Sequence, residues 1–148
     1  MEITRKDIRT AYQEGIFKIF IKRSFFLIRV FETQQDMVYH VNDKYSTSKI
    51  NSDVAGVFYP TYEWVNKKGS LRLTRCLGEI YLNLEFMKDS VVQHECTHAA
   101  FAYIRRIICR RRGMKEYIKG VQIDKKKEEL LCHLASLFTC LVMDTFGR

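Results

Sequence analysis

Two histidines and a glutamate form the part of this sequence that is best suited to chemistry. Residues 94–98 read His-Glu-Cys-Thr-His, which is a His-Glu-x-x-His motif. On a helix, His94 and His98 lie one turn apart on the same face, where both imidazoles can reach a single Zn²⁺ ion. Half of the four histidines of the chain are in this motif. The spacing therefore predicts a zinc site built on a helix.

Glu95 directly follows the first histidine and is placed to accept a proton rather than to bind the metal. A bound zinc ion lowers the pKa of its water toward about 7, so that a hydroxide-like nucleophile is available at neutral pH. Such a nucleophile attacks a carbonyl carbon. The motif thus predicts hydrolysis of a peptide bond through a zinc-bound water that Glu95 activates as general base.

A catalytic zinc site needs a third protein ligand, and the best candidates are Glu128 and Glu129. Neighbouring residues on a helix point about 100° apart, so only one of the two can face the metal. We expect Glu129 to be that ligand, because it belongs to a stripe of polar and small residues that interrupts a leucine-rich face. The stripe consists of Glu129, His133, Ser136 and Cys140. His133 would then orient a ligand by a hydrogen bond.

Two helices are predicted to carry these residues. The first spans Ser90 to Arg112, begins with a capping-box pattern and ends before Gly113. The second spans about Lys125 to Met143, after a candidate N-cap at Asp124. Its leucines form a broad apolar face, which we expect to be deeply packed.

Strands and turns are predicted upstream of these helices. The strand signals are Val54 to Tyr59, Tyr62 to Val65, Leu71 to Leu73 and Glu79 to Leu84. They favour a small, mostly antiparallel sheet. The apolar segment Ile16 to Phe31 has apolar residues at helical spacing and also a strand-like composition, so its pattern leaves helix and strand open.

The composition predicts one soluble domain that covers residues 1–148. The chain is 47% hydrophobic and 28% charged, and no linker rich in proline, glycine or serine divides it. At this length about 68 to 70% of the unfolded surface can be buried, which is enough for a stable apolar core. A metal site in this chain is therefore expected to be functional rather than structural.

The cysteines and the N-terminus favour the reducing cytoplasm. Five cysteines without a Cys-x-x-Cys pair predict neither a disulfide framework nor a zinc ribbon. We expect Cys96, Cys132 and Cys140 to be packed in the core. Residues 1–10 are polar, which predicts no secretory signal, and charges interrupt the segment Ile16 to Phe31, which predicts no transmembrane segment.

Three segments together resemble the short phage-encoded zinc metallopeptidases and, more distantly, the ImmA/IrrE type. The segments are the strand Glu79 to Leu84, the motif helix with residues 94–100, and the Glu-Glu-Leu-Leu-Cys-His sequence of residues 128–133. The sequence departs from the family pattern at Cys132 and His133, where a small residue and then Asn, Asp or Tyr is usual. The resemblance covers about residues 79–142.

This resemblance implies a zincin-like α+β fold, in which the small sheet packs on the motif helix and on a C-terminal glutamate helix. It implies His94, His98 and Glu129 as Zn²⁺ ligands and Glu95 as base, acting on a protein or peptide substrate. It also implies that the strand Glu79 to Leu84 is the edge of the sheet, on which an extended peptide pairs.

A run of arginines suggests a second class of function. The formal net charge is +8, and five arginines lie between residues 105 and 112. Clustered guanidinium groups can neutralise phosphates, but a solvated helix end that complements the dipole explains them too. The alternative is a catalytically silent zincin-fold binding module, which docks nucleic acid or an acidic host protein through this helix end.

Tyr103 and Tyr117 are candidates to stabilise an oxyanion. The substrate and the oligomeric state stay open.

Overall fold

A mixed five-stranded sheet with three helices forms the part of the chain that the structure, a computed structural model, describes: residues 3–61, 75–112 and 124–147. A short 3-10 helix (Arg5–Asp7) precedes the first strand. The strands are β1 (Ile8–Gln13), β2 (Ile16–Ile21), β3 (Ser24–Phe31), β4 (Gly56–Pro60) and β5 (Cys76–Asn83). The helices are α1 (Gln34–Lys44), α2 (Asp89–Arg112) and α3 (Lys125–Phe146). The α+β class predicted from the sequence is confirmed.

The sheet is mostly antiparallel, as predicted, but its order corrects one expectation. The strands follow the order β1-β2-β3-β5-β4, and only the β3–β5 pair is parallel. The strand signal Glu79 to Leu84 belongs to β5, which lies between β3 and β4 and is therefore not the edge. Its side chains are buried on both faces of the sheet, as suits a central strand. Within the described ranges, β4 is the edge on this side.

The segment that the sequence left open between helix and strand is a hairpin of β2 and β3. Alternate residues of β2 are fully buried, among them Phe17, Ile19 and Ile21, and the residues between them are half-buried. The turn is made by Lys22 and Arg23, and Lys22 has a positive φ of 54°. Burial of every second residue shows that this segment is a strand and not a helix, because one face of the hairpin packs on the core and the other does not.

Helices α2 and α3 pack on one face of the sheet and on each other. Helix α2 begins at Asp89, one residue before the predicted start. The predicted N-cap of α3 is confirmed, since the Asp124 side chain accepts a hydrogen bond from the backbone N–H of Lys127. The helix runs three residues past the predicted end. Phe138 of α3 contacts Phe26 of β3 edge-on, with ring centroids 4.8 Å apart.

The orientation of α3 corrects two further expectations. Its fully buried residues are Leu134, Ala135, Phe138 and Val142. The predicted stripe of Glu129, His133, Ser136 and Cys140 is exposed, because Ser136 is two residues from Phe138 and so points about 200° away from it around the helix axis. For the same reason Cys132 and Cys140 are exposed and not in the core. Cys96 of α2 is buried, as predicted.

Helix α1, which the sequence analysis did not predict, covers part of the opposite face of the sheet. It begins at the N-cap Thr33, whose hydroxyl accepts a hydrogen bond from the backbone N–H of Asp36. Met37 and Val41 of α1 are fully buried against Tyr81 of β5. The sheet is therefore covered by α2 and α3 on one face and by α1 over β3 and β5 on the other.

By length and composition alone, α3 is apolar enough to cross a membrane. This is weak evidence, since core helices of soluble proteins have the same property. Several predicted features lie outside the described residues: the strands Tyr62 to Val65 and Leu71 to Leu73, the helix stop at Gly113, and Tyr117.

Candidate metal site

His94 and His98 converge at the surface of α2. Their Nε2 atoms are 3.2 Å apart, and their rings are nearly perpendicular at 81° with centroids 4.9 Å apart. A tetrahedral zinc ion with Zn–N bonds of 2.0 to 2.1 Å holds two ligand nitrogens about 3.3 Å apart. The Nε2 atoms thus have the separation of two ligands of one zinc ion, which is also the separation of a hydrogen bond from one imidazole to the other.

Glu95 lies beside this pair but is buried. Its residue is 5% exposed, whereas the side chain of His94 is 69% exposed. The Oε1 atom of Glu95 is 3.9 Å from the Nε2 atom of His94. Burial raises the pKa of the Glu95 carboxyl to about 7. A carboxylate with this pKa can both accept and return a proton near neutral pH, which is what a general base needs.

The burial of Glu95 depends on a glycine of the edge strand. A Cβ placed on Gly56 of β4 would lie 3.4 Å from the Cγ of Glu95 and 3.1 Å from both Val91 Cγ1 and Leu82 Cδ2. The missing side chain thus allows α2 to approach β4 closely. Sequence reasoning missed Gly56, although a glycine inside a strand pattern is a known signal for close approach of another element.

Phe58 of β4 forms a wall of the site. Its ring is parallel to that of His98, with an interplanar angle of 4° and centroids 6.2 Å apart. Burial, followed by the neighbouring His94, lowers the pKa of His98. A lowered pKa keeps the imidazole neutral and able to bind a metal at neutral pH. The sequence analysis did not single out Phe58, and its strand pattern alone carries no signal for this role.

The structure does not bring Glu129 to the two histidines. Cys96, which lies between them in sequence, is close to the side chain of Thr139 on α3. Glu129 is ten residues before Thr139, or about 15 Å along the helix axis, and it is exposed, as is Glu128. Within the described ranges, no third His, Cys, Asp or Glu joins the pair to form a group of three. The assignment of Glu129 as a zinc ligand is thus a prediction from the sequence that the arrangement of α2 and α3 does not support.

His133 and Tyr103 do not lie at the histidine pair, where the sequence analysis gave each of them a possible role. The Nε2 atom of His133 is 2.8 Å from the carbonyl oxygen of Ile3, so this imidazole holds the N-terminal segment against α3. Tyr103 is buried in the core between the helices and the sheet. His133 thus orients no ligand here, and Tyr103 does not face the solvent-exposed histidines.

The arginine run has a structural role in part. Arg106 is 4% exposed, and its Nη2 donates hydrogen bonds to the carbonyl oxygens of Thr61 and Cys76, at 3.1 and 2.9 Å. The guanidinium of Arg105 lies 5.9 Å from the ring centroid of Phe101. Arg106 therefore ties α2 to the sheet and is not part of a solvated basic surface.

Comparison of the chain with known protein families, with curated proteins and with solved structures finds no match. The chemistry of His94, Glu95 and His98 therefore carries the functional argument.

Proposed function

We propose that this protein is a zinc-dependent metallopeptidase of the zincin-like type, related to the short phage-encoded group. The carrying observation is the 3.2 Å separation of the Nε2 atoms of His94 and His98. This separation agrees with two zinc ligands on one helix. The third ligand is not assigned within the described residues.

A zinc ion held by these histidines would act as a Lewis acid and lower the pKa of water near it. The residues of the chain supply the remaining chemistry. Glu95 accepts the proton of the attacking water at its carboxylate, and it can then return this proton to the leaving amine. Burial raises its pKa to about 7 in the metal-free protein, and a zinc ion beside it would lower this pKa and favour the carboxylate that accepts the proton. His98, packed against Phe58, stays neutral for metal binding.

The position of β4 supports a peptide as the substrate. This strand lies beside α2, contributes Gly56 and Phe58 to the site, and is the sheet edge on this side within the described ranges. An extended peptide can add to an exposed strand by main-chain hydrogen bonds, which places its carbonyl groups along the strand. Strand β4 is therefore the proposed site of peptide pairing, in place of residues 79–84, for which the resemblance implied this role. The proposed compartment is the cytoplasm, in line with the free thiols of Cys76, Cys96, Cys132 and Cys140.

Digestion of a mixed peptide library by the zinc-supplemented protein, read by mass spectrometry, tests the peptidase proposal. We expect cleavage by the wild type and at least a hundredfold less by Glu95→Gln, because the variant keeps both histidines but lacks the base. A His133→Ala variant should cleave like the wild type, since His133 lies outside the site. No cleavage by either protein would favour the catalytically silent binding module, and equal cleavage by both would show that Glu95 is not the base.

A further inference from the structure

Three rows of side chains lie on the face of the sheet opposite to α2 and α3. The pairing of β1, β2 and β3 sets the rows as Arg9–Phe20–Phe25, Ala11–Lys18–Leu27 and Gln13–Ile16–Arg29. The intervening residues of β2 and β3, such as Ile19 and Phe26, are buried against the helices, so side-chain alternation points these rows the other way. We refer to the three rows as the open face.

Helix α1 shares this side of the sheet but packs on β3 and β5. Its apolar contacts are with residues such as Phe31 and Tyr81, beyond the third row. On the open face, Arg9 is exposed, and Lys18, Phe20 and Phe25 are half-buried. The three rows are thus partly accessible to solvent within the described part of the chain.

The centre of the open face is an aromatic pair with a cation over each ring. Phe20 and Phe25 are direct cross-strand neighbours, and their ring centroids are 5.6 Å apart. The guanidinium of Arg9 lies 5.0 Å from the centroid of Phe20, and the Nζ of Lys18 lies 5.6 Å from that of Phe25. Each cation lies over a ring face, so a base that stacks there displaces it toward the neighbouring phosphate, with which it can pair.

The charge of the open face has one sign. The rows contain Arg9, Lys18 and Arg29 and no carboxylate. The Nε of Arg29 is buried, and its charge interacts with Glu79, so Arg9 and Lys18 are the cations of this face that a partner can reach. The nearest acid in the adjacent strand is Glu79, opposite Leu27, and its carboxylate is already paired with Lys44 at 2.8 Å. A partner that fits this surface must therefore carry negative charges and also flat groups that stack on phenyl rings.

We propose that the open face binds single-stranded nucleic acid. Bases stack on Phe20 and Phe25, and backbone phosphates pair with Arg9 and Lys18. This combination of a cationic surface with aromatic stacking platforms is how proteins bind unpaired strands without sequence preference. An acidic peptide supplies the charge but lacks a regular series of flat rings. The surface is separate from His94 and His98, which lie on α2 across the sheet, so it is independent of the proposed peptidase activity.

Fluorescence anisotropy with labelled fifteen-nucleotide oligo-dT and oligo-rU tests the proposal. We expect the wild type to bind at low salt, and Phe20→Leu/Phe25→Leu to bind at least about tenfold more weakly, because base stacking is lost while apolar volume is kept. Arg9→Ala/Lys18→Ala should weaken binding to a similar extent and reduce the slope of log affinity against log salt by about 1.4, or about 0.7 for each lost phosphate contact. Circular dichroism checks that each variant is folded.

The matched control is Lys125→Ala/Lys126→Ala, which removes the same charge from two exposed lysines at the start of α3. It should bind both oligonucleotides within about twofold of the wild type, as should Glu95→Gln. Three results would overturn the proposal: an equal loss in the control, binding of duplex DNA as tightly as of the single strand, or no binding of either oligonucleotide. Binding to vesicles of anionic phospholipid without binding to oligonucleotides would overturn it in favour of a membrane surface.

Discussion

Gly56 of β4 lies directly against Glu95 of α2, so that a Cβ on the glycine would stand 3.4 Å from the glutamate Cγ. This contact explains why a carboxylate lies buried beside two exposed histidines. Its burial raises the pKa of Glu95 to about 7. The packing of β4 against α2 therefore raises the pKa of Glu95. On an isolated helix in water, the same side chain would be ionised at neutral pH.

A larger residue at position 56 should push α2 away from β4. We expect Gly56→Val to lower the free energy of unfolding by about 1 to 3 kcal/mol, because its side chain meets Val91 and Leu82. Urea denaturation measures the loss. Combining it with Val91→Ala makes room and should restore part of the stability. Additive losses in the double variant would contradict the close packing of Gly56 against Val91.

The raised pKa of Glu95 predicts how stability depends on pH. The folded state favours the protonated carboxyl. The contribution of this carboxyl to the free energy of unfolding is therefore fully present below about pH 4.5 and is lost as the pH rises through about 7. Relative to Glu95→Gln, the free energy of unfolding of the wild type should fall by roughly 3 kcal/mol between about pH 4.5 and 7. Above about pH 7 this difference should stay constant. Urea denaturation in the presence of a chelator measures this. A difference that stays constant with pH would mean that Glu95 is solvated.

The orientation of α3 predicts which thiols react. Cys132 and Cys140 are exposed, whereas Cys96 is fully buried and its pKa is raised to about 12, mainly by burial. In the folded protein, maleimide should therefore modify Cys132 and Cys140 at least a hundredfold faster than Cys96. Peptide mapping by mass spectrometry reads the sites. Rapid modification of Cys96 with protection of Cys140 would require a rotated α3.

Local signals in the sequence predicted α2 and α3 well, whereas α1 was missed. The motif spacing placed His94 and His98 on one face, and the cap at Asp124 marked the start of α3, because both depend on residues within one helical turn. The alternation of the β2–β3 segment was present in the sequence as well. This alternation marks two strands, as the burial of only one face of the hairpin shows.

The features that sequence reasoning missed depend on contacts between distant segments. Residues 79–84 read as a strand, but their place inside the sheet is set by pairing with β3 and β4. The leucines of α3 cover a broad arc, and the sequence pattern was read as turning Glu129 toward α2. In the structure Leu134 and Phe138 are the buried positions, and Glu129 is exposed. Arg106 reads as a surface cation and is held instead by Thr61 and Cys76.

The position of Glu129 gives a direct test of the third ligand. Because it is exposed and about 15 Å along α3 from the level of Cys96, we expect Glu129→Ala to leave zinc affinity within about twofold of the wild type. Glu128→Ala, its exposed neighbour, is the matched control. Competition with a zinc chelator measures both. A loss of tenfold or more in Glu129→Ala alone would return Glu129 as the third ligand and require α3 to shift along α2.

Zinc affinity of the histidine variants tests the central claim most directly. Competitive chelator titration, together with metal analysis by mass spectrometry, should find about one zinc ion per chain in the wild type. His94→Ala and His98→Ala should each lower the zinc affinity by at least about a hundredfold, because each removes one of two convergent ligands. His133→Ala should keep the wild-type affinity. A wild-type protein that binds no zinc, or histidine variants that bind it as tightly as the wild type, would contradict the metal site.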